Sequence, residues 1–350
     1  MGAQTVYTKD PLGLALDRAK AARERAVAWL KANIDKNGKP IDAEIENGWM
    51  RVPWALASVG EYDLATRVVN WAENNNQFTA EGDMNRRGDV NDAAVQMQSK
   101  LGKAYGLAHY AHGTWLTGQY AISKRTMNVL KAYQDAFGGY SMMTGFSDNC
   151  VTCQVGYTAL LTGDDEMAEK SYSWLTMMLA QQPGLDKGLF YSGGKDDKLV
   201  TTLPEGQETF FCADFSKPLN FYFQACIAAM FLASYAKKTG NQEALKYVDL
   251  LHALVKNGNK DHMFEDPRTI QICKYGWFLG VYVLNYPEKK EECKDDLIRK
   301  AHWFADCQLE DGAWGTSVYM APVSSNIQKM TKTAEHLMQT CAVIAGLGSY

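Results

Sequence analysis

Hydrophobic positions along this chain fall into two kinds of helical segment that take turns. In segments such as 221–236 nearly every position is apolar, which predicts a helix buried on all sides. In segments such as 243–251, Ala244, Leu245, Val248 and Leu251 form one stripe among Glu243, Lys246 and Asp249, which predicts a helix with one face in water. Each apolar helix runs into a short turn marked by Gly60, Gly118, Gly163, Gly240 or Pro287. The next helix opens with acidic or amide residues, among them Glu61, Asp164 and Asn241. Glycine supplies the left-handed helix end, and acidic side chains suit the positive N-terminus that follows. So short a turn forces the two helices to lie antiparallel.

The other connections are long, rich in Gly, Pro and Asn, and sit near 35–48, 75–91, 135–148, 183–218, 257–268 and 309–331. Every one precedes an apolar helix, so all emerge on one face. Counted from an outer helix near 11–33, the pattern gives about twelve helices, alternately outer and inner. The expected fold is all-α, an (α/α)6 toroid of antiparallel helices in two rings. It fills residues 1–350 as one domain with a long insert loop around 183–218. Loops of this length usually carry function, which puts a pocket at the long-loop mouth.

Composition narrows the partners. Hydrophobic residues make up 46% and charged residues 22% of the 350, an ordinary globular balance. A net charge of −4 leaves no basic field to collect nucleic acid. No apolar run reaches the length of a bilayer span, and Met1 to Val6 shows no export signal. The eight cysteines are scattered, as in a reduced cytoplasmic protein. A small-molecule apolar substrate is the expected partner, and a homo-oligomer is compatible with the chain.

Two segments carry a family likeness. Gln308-Leu309-Glu310-Asp311-Gly312-Ala313-Trp314-Gly315 resembles the Gln–Trp repeat of terpenoid cyclases. Met338 to Leu347 is similar to the inner helix that follows that repeat in cyclases and in protein prenyltransferase β subunits. The resemblance implies the toroid, with Gln308 and Trp314 clamping helix ends. Asp89-Val90-Asn91-Asp92 resembles the DxDD proton donor of class II cyclases, but Asn91 replaces the central acid and an amide cannot protonate an alkene. The alternative role for Asp89 or Asp92 is a helix cap. Gln339 stands where prenyltransferases place a zinc-ligating His, so neither metal nor cofactor is expected. Asp148 to Tyr157 is similar to the stretch of linalool dehydratase–isomerase that bears a catalytic cysteine, matched by Cys153.

The candidate chemistry gathers at the mouth. Asp89, Glu208, Asp214 and Glu335 are the carboxylates, His336 stands beside Glu335, and Cys150 and Cys153 open an inner helix. A helix start lowers a thiol's pKa, so either cysteine is a candidate reactive group. Trp49, Trp54, Met142, Phe146, Tyr157, Phe215, Tyr222, Trp277, Trp314 and Tyr319 are the expected substrate wall. Such a wall suits a metal-independent lyase, isomerase or cyclase moving protons on an apolar, terpenoid substrate. The alternative is a carbohydrate-active enzyme of the six-hairpin type: a glycoside hydrolase, polysaccharide lyase or sugar epimerase. Arg51, Arg86, Arg87, Arg268, Gln96 and Gln98 keep that alternative open. A non-catalytic scaffold is the third reading.

Overall fold

The computed structural model describes residues 10–44, 47–85, 103–143, 145–186, 188–194, 196–203, 205–206, 208–217, 220–258, 272–316 and 324–350. Among them twelve α-helices follow in order. They are α1 (Pro11–Ala32), α2 (Val52–Ala57), α3 (Tyr62–Asn74), α4 (Lys103–Leu116), α5 (Tyr120–Tyr133) and α6 (Asn149–Thr162). Then come α7 (Asp165–Ala180), α8 (Phe223–Thr239), α9 (Gln242–Asn257), α10 (Cys273–Asn285), α11 (Lys290–Asp306) and α12 (Asn326–Leu347). The even-numbered helices pack in a closed circuit, each on the next and α12 back on α2. The odd-numbered helices wrap them, which is the expected all-α toroid.

The two rings follow from side-chain pattern. Inner α8 buries every residue from Gln224 to Ala233, whereas outer α9 buries Ala244, Val248, Leu251 and Val255 at helical spacing. The short turns close on left-handed glycines, with Gly163 and Gly240 both at φ +77.

A second glycine device works on the opposite face. After α1, α5 and α11 the chain makes a tight hairpin through Gly38, Gly138 and Gly312, at φ +89, +101 and +88. Each hairpin leans on the next outer helix. A Cβ on Gly38 would lie 2.2 Å from the Arg67 carbonyl of α3, and one on Gly138 would lie 2.2 Å from that of Lys170 in α7. One on Gly312 would lie 2.8 Å from the Arg25 carbonyl of α1, so the last hairpin joins the end of the chain to its beginning. Gln308 Nε2 strengthens this seam by donating to the carbonyls of Ala22 and Gly312, each at 2.8 Å. Trp314 Nε1 donates to the Phe304 carbonyl at 2.9 Å. Trp314 therefore holds the end of α11, as the resemblance implies, whereas Gln308 ties the hairpin to the middle of α1.

The long connections carry a little β-structure. β1 (Ser141–Met143), β2 (Phe146–Asp148) and β4 (Ser192–Gly193) form one antiparallel sheet, and β3 (Gly188–Phe190) pairs with β5 (Cys212–Asp214). They lie before α6 and α8, outside the helical core. No helix among the described residues is long and apolar enough to cross a membrane.

Candidate functional site

Each inner helix, or the turn leading into it, sends a side chain toward the axis at the long-loop end. Arg51 precedes α2, Tyr105 lies in the first turn of α4, and Cys150 in that of α6; Phe223 opens α8 and Lys274 lies in the first turn of α10. Glu335 of α12 is the hub. Lys274 Nζ donates to its Oε1 at 2.7 Å, Lys332 Nζ donates to its Oε2 at 2.9 Å, and Arg51 Nη1 lies 3.7 Å from Oε2. The Arg51 guanidinium also sits 5.1 Å over the Tyr105 ring, and Lys274 Nζ 5.1 Å over the Phe223 ring. Burial alone would raise the Glu335 carboxyl, but Lys274, Lys332 and Arg51 hold it well below the usual range. It is a permanent carboxylate. Burial alone would lower Lys274, yet Glu335 keeps its ammonium charged.

One to two turns deeper lies an aromatic floor. Trp54 stacks on His112 at 3.6 Å, and Trp277 meets Trp54 and Tyr157 edge-on, each at 5.6 Å. His109 lies between charge and floor, 4.6 Å from the Tyr105 ring and 5.5 Å from that of Trp54. Its Nδ1 is 2.7 Å from the Tyr105 carbonyl. A carbonyl only accepts, so Nδ1 carries the proton and Nε2 keeps the lone pair. Burial, then the Arg51 charge, pushes the imidazole well below its usual pKa. His109 is thus a neutral imidazole at pH 7. Burial holds His112 to about 3. Arg51, Tyr105 and Tyr157 keep some accessible surface although they lie near the axis.

The residues expected at the mouth divide. Cys150, Glu335, Trp54, Tyr157 and Trp277 reach the axis. Cys153 is buried one turn on, donating to Asn149 Oδ1 at 3.2 Å. The expected lowering of thiol pKa is reversed: burial pushes Cys150 up to about 12 and Cys153 well up too, outweighing the helix start. His336 is not at the mouth. It points to the back of α12, among Trp303, Phe304 and Trp314 at 6.0, 5.6 and 5.7 Å, with both ring nitrogens unpartnered. Consecutive helical residues point about 100° apart, so Glu335 and His336 cannot share one site.

Several other expectations fall in the framework. Glu208 is exposed in the insert and accepts from the Gly206 amide. Asp214, at the end of β5, accepts from Ser216 and pairs with Lys217. Trp49 is fully buried between α2 and α3 against Trp71, Phe78 and Tyr110, where nothing can stack on it from the axis. Trp314 is fully buried at the seam. Phe215 and Tyr222 pack on each other at 5.2 Å, both buried. Phe146 meets Phe211 at 5.2 Å under the insert. Met142 lies in β1. Asp89 and Tyr319 lie outside the described residues, as do Arg86, Arg87, Gln96, Gln98 and Arg268.

No protein-family model matches the chain, and no curated protein matches it in sequence. Solved structures do match. A D-mannose isomerase aligns over 98% of this chain and 99% of its own at 12% identity, with a TM-score of 0.65. The type II terpene cyclase MstE from Scytonema, in complex with geranylgeranyl dihydroxybenzoate, aligns over 95% and 99% at 11% identity, with a TM-score of 0.56. An α-1,6-mannanase from Salegentibacter sp. HEL1_6 aligns over 94% and 99% at 11% identity, with a TM-score of 0.55. At such identities the likeness establishes the toroid fold. The neighbours are enzymes of three different kinds.

Four central residues escaped the sequence reading as site residues: Lys274, Lys332, Tyr105 and His109. Lys274 had a visible signal. It is the one basic residue in the otherwise uncharged run 273–285, and a lysine buried there needs a buried partner. His109 and His112 stand at i,i+3 in the sequence; in the structure the first imidazole lies beside the charged cluster and the second stacks on Trp54. Among the described residues no group of three or more His, Cys, Asp or Glu side chains is gathered as a metal site. A separate depression of about 420 Å³ opens beside Asp35, Asn70 and Trp71 on the outer ring, away from these groups.

Proposed function

We propose that the chain is an isomerase or epimerase that moves a proton next to the carbonyl of a sugar-like, polyhydroxy substrate held at the toroid axis. The observation that carries this reading is the conjunction of a neutral imidazole, His109, with fixed cations. Taking a proton from the carbon beside a carbonyl builds charge on the carbonyl oxygen, giving an enediolate. Arg51 and Lys274 are charged donors already aimed into a buried space, so they stabilise that oxyanion without reorganising. His109 Nε2 accepts the carbon proton and returns it to the neighbouring carbon, while that carbon's hydroxyl proton passes to the former carbonyl oxygen through the Tyr105 hydroxyl (isomerisation), or returns it to the same carbon after the enediolate has turned its other face to the imidazole (epimerisation). The Tyr105 hydroxyl, its pKa raised by burial, stays protonated and available to donate to substrate oxygens. The Trp54–Tyr157–Trp277 floor offers flat faces to the apolar side of a sugar ring.

The terpenoid reading fits this axis less well. A hydrocarbon would offer no polar partner to a buried cluster in which, among the described residues, Arg51, Lys274 and Lys332 share the single carboxylate Glu335, a costly arrangement. Protonating an alkene also needs a protonated acid, and Glu335 is held ionised. Incubating the protein with unlabelled aldoses and ketoses in deuterated water tests the proposal. Deuterium should enter at the carbon beside the carbonyl, and His109→Asn should abolish that exchange. Turnover of a farnesol-like alcohol with no exchange into any sugar would overturn it.

A further inference from the structure

The axial cluster is unbalanced. Among the described residues, Arg51, Lys274 and Lys332 converge on one carboxylate, Glu335. These side chains are 15%, 7%, 20% and 2% exposed, so water compensates little of the excess. The other polar groups at the centre, Tyr105, Cys150 and His109, are neutral at pH 7. Counted over the described residues, this leaves two positive charges beyond the one that Glu335 offsets, a costly arrangement that an entering anion relieves. Arg51 has the loosest hold on Glu335, at 3.7 Å against 2.7 and 2.9 Å for the two lysines, and beyond its hydrogen bond to Tyr105 its five-donor guanidinium keeps N–H groups for an incoming oxyanion. Asp148, another buried carboxylate among the described residues, is committed elsewhere: it caps α6 through Val151 N at 3.0 Å and accepts from Gln224 at 3.1 Å.

We infer that the substrate carries an anionic group, a carboxylate or a phosphate, which Arg51 receives with Lys332 and Lys274 beside it. This rests on the reading of the axis as a sugar site and narrows it to acidic sugars. The anion anchors one end of the substrate at the cluster, and the sugar chain extends toward His109 and the aromatic floor. A uronic acid and a sugar phosphate share the chemistry required. They differ in charge and in reach from the ring.

Titration calorimetry with D-galacturonate, D-glucose 6-phosphate and D-glucose tests this. At least one acidic sugar should bind ten-fold or more tightly than D-glucose, and added salt should erode the difference. The tighter of the two acids identifies the anion. Lys332→Gln and Arg51→Gln should each bring the acidic sugar close to the neutral one, with thermal melts reporting that both variants are folded. Gln keeps most of the Lys332 side-chain volume while removing its charge, and at 20% exposure Lys332 is the most accessible of the three cations. Equal binding of acidic and neutral sugars overturns the inference, as does a preference that survives both substitutions. Its fate separates cleanly from that of the isomerase reading. Acidic sugars that bind without deuterium exchange uphold the anion site and end the isomerase. Exchange into neutral sugars, with no preference for acids, does the reverse.

Discussion

Glu335 and His336 are neighbours in sequence and strangers in space. Glu335 faces the axis, where three cations hold its charge; His336 faces the back of the same helix, where indole and phenyl rings hold it neutral at about 3. Burial is nearly equal, 2% against 0% exposure, so depth does not separate them. What separates them is company. The front of α12 is a place where charge is kept and can be used. The back is a place where charge is refused, and His336 there acts as an aromatic filler between α12 and α11. A titratable residue is functional by what surrounds it, and a helix can present both environments within one turn.

Substitutions can break this contrast. The largest effect is expected at the front of the ring: His109→Asn should lower turnover by about 10²- to 10⁴-fold, the usual worth of a positioned base, with the fold unchanged. Isotope exchange into substrate checks it. Glu335→Gln should cost about 3–5 kcal/mol in urea denaturation, since it strands buried cations beside an amide. At the back, Gly312→Ala should cost about 1–3 kcal/mol by placing a side chain in the left-handed region and against the Arg25 carbonyl. Denaturation should then show the loss without a change in substrate affinity. His336→Leu should lie within about 1 kcal/mol of the parent and keep full activity, because both unsatisfied nitrogens are removed together.

Acid sharpens the same contrast. His336 titrates near 3 in the folded chain and near 6.5 when unfolded. As pH falls below 6.5, the unfolded chain gains a proton that the folded chain refuses. Stability therefore declines between pH 6.5 and 3, by up to about 1.4 kcal/mol per pH unit for each such group. His112 contributes in the same direction. Denaturation curves across this range should lose one proton's worth of slope in His336→Leu.

The fold was legible because it is written many times over. All-round apolar and one-sided helices alternate, and each short turn announces itself with a residue such as Gly163 or Gly240. The site is written once. Its parts come from six helices, so no local spacing joins Arg51 to Lys274 or Glu335. Trp49 and Trp54 show the limit: they are five residues apart with the same composition around them, yet Trp49 packs outward on Trp71 and Trp54 inward on His112. Cys150 stands in the first turn of α6, but its ionisation is governed by burial, which sequence does not display. Lys332 was lost beside Lys329 near the start of α12, and its 2.9 Å contact with Glu335 distinguishes it.

The Gln308–Gly312 hairpin has a consequence for how the molecule is made. Its grip on Ala22 and Arg25 spans almost three hundred residues of chain, so a nascent polypeptide leaving the ribosome exposes an unmatched edge of α1 until α11 arrives. Earlier hairpin pairs can assemble in order as they emerge, but the circle locks in one late event. A permuted chain opened at Gly240 would carry that joint internally, and should refold faster than the natural order of helices.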